Sequence, residues 1–194
     1  MRILLVLVVT AALAVAVYPV LFPSVELEAV SRPGAVTLVG DSLNVGIAPY
    51  LREELADWTI EAHDRVGRGT AEGVDELRRL GRALAPIVVV SLGTNDPDGS
   101  ESQFRALVAE ALDLAGGRCV LWATIVRDGT PRTGFNEILA DARGRQANLR
   151  LVEWAELVET DGAVLAADLV HGTGEGYARR AEETARAARA CPEG

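Results

Sequence analysis

Short apolar runs alternate with longer amphipathic stretches over most of this 194-residue chain. The runs predict strands near residues 36–39, 59–63, 87–91, 119–124 and 149–152, and helical patterns lie near 45–55, 71–84, 101–115, 135–147 and 174–190. This alternation is typical of βαβ units, in which right-handed crossovers build a parallel sheet with helices on both faces. The run 87–91 is almost continuously apolar, as a buried central strand should be. The length fits one domain of this class.

Polar residues stand where the predicted strands end. Gly-Asp-Ser-Leu, residues 40–43, follows the first strand and opens a helix, and Gly-Thr-Asn-Asp, residues 93–96, follows the third. Asp168 and His171 precede the last helix. In an open α/β sheet, ligand sites form at the carboxyl edge of the strands. A serine at such a turn lies beside helix N–H groups, which favour negative charge and therefore suit a hydroxyl nucleophile and its oxyanion.

In this order the segments resemble the sequence blocks of the GDSL-type branch of the SGNH hydrolase superfamily, which is named for a serine, a glycine, an asparagine and a histidine. The match covers residues 36–190. Gly67 fits the glycine block better than Gly69 because of its spacing to Gly73. The resemblance implies a three-layer α/β/α sandwich with a five-stranded parallel sheet in flavodoxin-like strand order.

Two positions depart from the family pattern. Leu169 stands after the aspartate, where glycine is usual, and Gly172 stands after the histidine, where proline is usual. Both changes affect the segment that holds His171. No Gly-x-Ser-x-Gly elbow surrounds Ser42, which argues against the ordinary α/β-hydrolase fold.

The resemblance also implies a role for each block. Ser42 is the expected nucleophile, His171 takes its proton and returns it to the leaving alcohol, and Asp168 fixes the tautomer of His171. The expected oxyanion donors are the backbone N–H groups of Ser42 and Gly67 and the side chain of Asn95. The resemblance implies no cofactor and no metal.

Three further residues are assigned from their positions. Asp41 is expected to accept hydrogen bonds that shape the turn rather than to act as a catalytic acid. His63, the second of only two histidines, is expected on the surface or in a supporting position because no other motif residue stands beside it. Thr173 is expected to cap the last helix.

The sequence indicates the reaction more clearly than it indicates the substrate. Arg68 and Arg127 lie in loops that should border the site, where they would bind a substrate carboxylate or sugar, or else remain solvated. The resemblance and an external location together indicate short acyl esters, such as O-acetyl groups on cell-envelope glycans. An acyltransferase using the same residues and a binding module on an inactive hydrolase fold remain as alternatives.

The N-terminus predicts where the protein works. Residues 3–22 carry no charge and follow Arg2, so residues 1–22 are expected to be a transmembrane anchor or a cleaved signal segment. Either interpretation places the hydrolase-like domain, residues 35–194, outside the cytoplasm, with residues 23–34 as a tether.

The net charge and the two cysteines indicate which partners the protein is not expected to bind. With 28 acidic against 19 basic residues, the surface should repel nucleic acid. Cys119 and Cys191 are expected to form a disulfide in an oxidising compartment, with two unpaired thiols as the alternative. They lack the clustered spacing of a zinc site. The sequence leaves the oligomeric state open.

Overall fold

A computed structural model describes residues 34–192, apart from the side chain of Ala163. The predicted anchor or signal segment (1–22) and nearly all of the predicted tether (23–34) lie outside the described residues. Within residues 34–192, no helix has both the length and the apolar composition needed to cross a bilayer.

The centre of the fold is a five-stranded, wholly parallel sheet. Its order is β2-β1-β3-β4-β7, which is the flavodoxin-like arrangement predicted from the sequence. Two further strands, β5 and β6, pair as a small antiparallel hairpin. The strands are β1 (Ala35–Gly40), β2 (Thr59–Ala62), β3 (Ile87–Ser91), β4 (Cys119–Ala123), β5 (Val126–Arg127), β6 (Thr130–Pro131) and β7 (Leu149–Val152).

Helices cover both faces of the sheet, so the predicted three-layer α/β/α sandwich is confirmed. Helices α2, α3 and α4 pack on one face, and α1 and α6 pack on the other. The short helix α5 contributes to a smaller cluster beside β5. The helices are α1 (Ser42–Glu54), α2 (Thr70–Leu80), α3 (Glu101–Ala115), α4 (Thr133–Arg145), α5 (Trp154–Thr160) and α6 (Gly174–Arg189), with 3₁₀ turns at Gly81–Ala83 and Gly162–Val164.

Strand β3 shows why the sequence takes this form. All five of its residues are buried, because successive side chains enter opposite helix layers. Beside it, Trp122 of β4 meets the ring of Phe104 edge to face at 6.0 Å, and Phe104 also packs on Phe135 at 4.5 Å. These rings join the sheet to α3 and α4.

The structure differs from the sequence prediction at the ends of some helices. Helix α1 begins at Ser42 rather than near residue 45, because the side chain of Asp41 accepts a hydrogen bond from the Leu43 N–H and caps it. Helix α2 ends at Leu80, since Gly81 takes a φ of 50° that does not continue a helix. Helix α5 and the β5–β6 hairpin were not predicted.

The predicted disulfide between Cys119 and Cys191 is present. Cys119 is the first residue of β4, at the amino edge of the sheet, and Cys191 follows α6. The bond therefore ties the end of the chain to the edge opposite the serine turn.

Removing this bond should lower stability strongly. The two cysteines are 72 residues apart, so chain entropy predicts that the double variant Cys119→Ala/Cys191→Ala loses about 4 kcal/mol of unfolding free energy. Urea unfolding of the wild type with and without reductant, beside the double variant, measures this. Equal midpoints for the oxidised wild type and the double variant would contradict it.

Candidate active site

Three side chains that are distant in sequence meet at the carboxyl edge of the sheet. Ser42 Oγ lies 2.9 Å from His171 Nε2. On the other side of the imidazole, His171 Nδ1 lies 2.7 Å from Asp168 Oδ2. Both distances are those of hydrogen bonds, so a hydroxyl, an imidazole and a carboxylate form one connected chain.

The turn that carries Ser42 is built by its neighbours. Strand β1 ends at Gly40, where a Cβ atom would stand 2.6 Å from the side-chain nitrogen of Asn44. Only glycine allows this close return of the chain into α1. Ser42 is the first residue of that helix, so its backbone N–H has no intrahelical acceptor. The group remains available to an anion.

The segment that carries His171 is held by the carboxylate of Asp168. Asp168 Oδ1 accepts hydrogen bonds from the N–H groups of Val170 at 3.0 Å and His171 at 2.9 Å, while Oδ2 meets the imidazole. The bond to His171 and these backbone bonds lower the pKa of Asp168 to about 2. Asp168 is therefore ionised at neutral pH. Thr173 caps α6 as predicted, since its hydroxyl oxygen accepts from the Gly176 N–H at 3.1 Å.

Leu169 shows how this segment accommodates a departure from the family pattern. Its φ is 58°, in the left-handed region that glycine enters without steric cost. The Leu169 N–H donates to the Ala166 carbonyl at 3.0 Å, and the Gly129 N–H donates to the Leu169 carbonyl at 2.7 Å. The hairpin turn at Gly129 thus supports a leucine where a glycine is usual, and the contact between His171 and Ser42 is kept.

Two loops meet beside Ser42 on the predicted oxyanion side. Gly67 has a φ of 73° in a turn that the Arg68 N–H closes on the Arg65 carbonyl at 3.2 Å. Asn95 Nδ2 donates to the Arg68 carbonyl and to Asp41 Oδ2, each at 3.1 Å. The structure therefore joins the Gly67 loop, Asn95 and the serine turn through direct hydrogen bonds. Both N–H bonds of the Asn95 amide have partners here.

The two arginines predicted to bind substrate differ in placement. Arg68 is 8% exposed, and its Nη1 donates to the carbonyls of Gly40 and His63. Its guanidinium braces the loop and leaves little surface for a substrate. Arg127 is partly exposed at the β5–β6 hairpin, where its Nη1 donates to the Asp96 carbonyl at 3.0 Å. Of these two arginines, only Arg127 has a guanidinium group that a substrate could reach.

The side chain of His63 contacts helix α2 and is not one of the three side chains in the hydrogen-bonded chain of Ser42. Its Nδ1 is 3.4 Å from a carboxylate oxygen of Glu76 on α2.

Ser100, at the start of α3, donates its hydroxyl to the Pro97 carbonyl at 2.6 Å and makes no capping bond.

Comparison by amino-acid sequence gives weaker matches to known proteins than comparison by fold. No protein-family model matches the chain. A curated relative, the probable malate:quinone oxidoreductase of Stenotrophomonas maltophilia, is 28% identical over 128 residues, which is 65% of this chain. The chain spans only 22% of that relative's length.

Several solved structures resemble this chain over most of its length. TesA has a TM-score of 0.68 at 22% identity, covering 79% of this chain and 97% of TesA. A member of the lipolytic G-D-S-L family from Veillonella parvula scores 0.66 at 16% identity, with 78% and 96% covered. The catalytic domain of peptidoglycan O-acetyltransferase A from Streptococcus pneumoniae scores 0.63 at 16% identity, with 82% and 92% covered. These likenesses show that the chain has the same fold as these three proteins.

The described part of the chain also contains buried polar residues that sequence reasoning missed. Ser91 at the end of β3 and Arg180 on α6 are 3% and 1% exposed, and both lie close to Asp41. A signal for Arg180 exists in the sequence, because it shares a helical face with the small residues Gly176 and Thr184.

Asp64 is a partly buried acid that contacts Asn44, near the serine turn. Its Oδ1 accepts from Asn44 Nδ2 at 3.2 Å. Its Oδ2 and the side-chain oxygen of Asn44 are buried without a hydrogen-bond partner among the described residues. Burial raises the pKa of Asp64 from 3.8 to about 6.

This shift predicts a pH-dependent effect of Asp64→Asn. The folded protein binds the proton of Asp64 more tightly than the unfolded chain does, so unfolding free energy falls as pH rises from about 4 to about 6. The variant should therefore gain about 3 kcal/mol at pH 8 and less than about 1 kcal/mol at pH 4. Denaturant unfolding at both pH values tests this, with the exposed Asp57→Asn as control. A gain of equal size at pH 4 would contradict the assignment.

Proposed function

We propose that this protein is a serine esterase that hydrolyses short acyl esters through an acyl-enzyme intermediate. The observation that carries the proposal is the hydrogen-bonded chain from Ser42 Oγ through His171 to Asp168, with steps of 2.9 and 2.7 Å. A general base within hydrogen-bond reach of a hydroxyl, itself oriented by a carboxylate, is the arrangement that activates a serine.

The first half-reaction acylates the serine. His171 Nε2 takes the proton of Ser42 as Oγ bonds to the ester carbonyl carbon, and the carbonyl π electrons move to oxygen. The N–H groups of Ser42 and Gly67 stabilise this oxyanion, together with the Asn95 N–H that leaves the Arg68 carbonyl when substrate binds. When the intermediate collapses, the bond to the alcohol oxygen breaks and His171 gives its proton to the departing alcohol.

The second half-reaction releases the acid. Water attacks the acyl carbon while His171 removes its proton, and the bond from carbon to Ser42 Oγ then breaks. His171 returns the proton to Ser42, so the free enzyme is restored. Throughout, Asp168 keeps the Nδ1 proton of His171 in place and stabilises the imidazolium.

Location and substrate class belong to the same proposal. The uncharged stretch of residues 3–22 supports an extracytoplasmic site of action. The disulfide between Cys119 and Cys191 suits an oxidising compartment. Likeness to the catalytic domain of a peptidoglycan O-acetyltransferase supports O-acetyl groups on cell-envelope glycans as the substrate.

The same likeness favours a second candidate, an acyltransferase in which a sugar hydroxyl replaces water in the second half-reaction. Incubation with an acetyl donor and glycan acceptors separates the two. Acetylated sugar in excess of free acetate indicates transfer, and free acetate alone indicates hydrolysis.

Covalent labelling tests the proposal directly. The full chain should bind one fluorophosphonate per molecule, seen by intact mass, and Ser42→Ala should bind none. Ser100→Ala is the matched control, because Ser100 Oγ donates to the Pro97 carbonyl and not to a histidine. A wild-type chain that stays unlabelled would support a binding module instead of an enzyme.

A further inference from the structure

Arg180 is a buried charge without the usual number of partners. Its side chain is 1% exposed on the inner face of α6, and Nη2 donates to Ser91 Oγ at 2.8 Å. Its Nε and Nη1 are buried without a hydrogen-bond acceptor among the described residues. The guanidinium carbon lies 5.3 Å from the ring centre of Trp154. Burying a cation in this way is unfavourable unless a nearby anion offsets it.

Asp41 is that anion. It is fully buried, and its Oδ1 lies 3.3 Å from the Ser91 hydroxyl, which accepts from Arg180 and donates to Asp41. Burial raises the pKa of Asp41, and the positive charge of Arg180 acts in the opposite direction.

The hydrogen bonds around Asp41 require a carboxylate. Oδ1 accepts from the Leu43 N–H at 2.9 Å and from Ser91, and Oδ2 accepts from the Asn95 amide at 3.1 Å. A proton on either oxygen would place a donor against one of these donors. Loss of the negative charge would therefore release either the helix cap or Asn95.

We propose that Arg180 is a positioning residue: acting through Ser91, it keeps Asp41 ionised, so that Asp41 holds one N–H of Asn95 while the other N–H, which donates to the Arg68 carbonyl in the free protein, turns to the oxyanion. This inference rests on the proposed function for its catalytic consequence. Arg180 touches no reacting atom and acts only through this chain of hydrogen bonds.

The kinetic test compares two neighbouring arginines of α6. Arg180→Met should lower kcat for p-nitrophenyl acetate by about 10- to 10³-fold, because loss of one oxyanion donor has effects of this size. Its KM should change less than about twofold, and Arg180→Lys should recover part of kcat. Arg179→Met is the matched control, since Arg179 is paired with Asp161 at 2.6 Å, and it should keep wild-type rates. Equal rates for the Met variants at 179 and 180 would overturn the inference.

A double-mutant cycle tests whether Arg180 acts through Asn95. If Arg180 acts through Asn95, Arg180→Met should change kcat less than about twofold in an Asn95→Ala background, because the step it supports is already lost. The same large loss in both backgrounds would show that Arg180 acts by another route and would overturn the proposal. Rates are normalised to fluorophosphonate-reactive sites, so a fraction of misfolded variant does not mimic a catalytic loss.

A stability cycle needs no turnover and keeps the inference testable if Arg180→Met folds poorly. Asp41→Asn should lower the urea midpoint in the wild type, and should lower it less or raise it in the Arg180→Met background, where no lone cation is left. An equal drop in both backgrounds would refute the link. If the wild type shows no Ser42-dependent turnover, the esterase proposal fails, while this cycle still decides whether Arg180 and Asp41 act as a pair.

Discussion

Replacing Ser42 with alanine is expected to lower kcat/KM for p-nitrophenyl acetate by about 10⁴-fold or more. The reason is that in the proposed mechanism Ser42 Oγ bonds to the acyl carbon, and it lies 2.9 Å from His171 Nε2, the proposed base. Alanine at position 42 keeps the helix start and the Asp41 cap, so the fold should be unchanged. Initial rates with matched protein concentrations and a buffer blank measure the loss.

The comparison with His171→Ala makes this prediction sharper. If serine and histidine act as one unit, each single variant and the double variant should have similar residual rates. Additive losses, or a Ser42→Ala protein that keeps more than about a tenth of wild-type activity, would show that the observed turnover arises elsewhere. Ser100→Ala should retain wild-type rates, because it removes a hydroxyl that only contacts the Pro97 carbonyl.

Replacing Asp168 with asparagine is expected to lower kcat by about 10²- to 10⁴-fold. An asparagine can still accept from the N–H groups of Val170 and His171 through its oxygen, as Asp168 Oδ1 does. Its amide nitrogen then occupies the position of Oδ2, which lies 2.7 Å from His171 Nδ1. An N–H at this point favours a proton on Nε2 instead of Nδ1, so the imidazole cannot accept the proton of Ser42.

Steady-state kinetics between pH 5 and pH 9 measure the effect of Asp168→Asn. Asp141→Asn on α4 is the control, because that exposed carboxylate pairs only with Arg105 at 3.2 Å and should not affect turnover. Wild-type kcat in the Asp168 variant would mean that the backbone hydrogen bonds alone orient the imidazole.

Much of the fold follows from local patterns along the chain. The run 87–91 predicts a buried strand because a continuous apolar segment has a favourable place only between two helix layers. Helix α3 was predicted with its observed limits, since its apolar residues repeat at helical spacing and Gly116 ends it with a φ of 61°. Helix α5 was missed because its seven residues give too few turns for a period to be recognised.

The site residues were predictable where the type of residue and its motif indicate a chemical role. Ser42, Asp168 and His171 stand in ordered motifs, and the fold brings them together. Arg68 was not predictable, because the direction of a loop side chain depends on the turn at Gly67 and not on sequence position.

Arg180 shows a different limit of sequence reasoning. An arginine on a helix is usually solvated, so its position on the same face as small residues is weak grounds for burial. Only the packing of α6 against the end of β3 reveals Ser91 and Asp41 as its partners.

If the protein is the esterase proposed above, the exposure of His171 and Asp168 has a consequence for the fate of the acyl group. The side chains of His171 and Asp168 are 40% and 54% exposed, so the imidazole is open to water and to dissolved alcohols. Competition between water and hydroxyl-bearing solutes is then governed by their local abundance. Under the proposed function, the same protein would release acetate in dilute buffer and pass acetyl groups to neighbouring sugars on a crowded glycan surface.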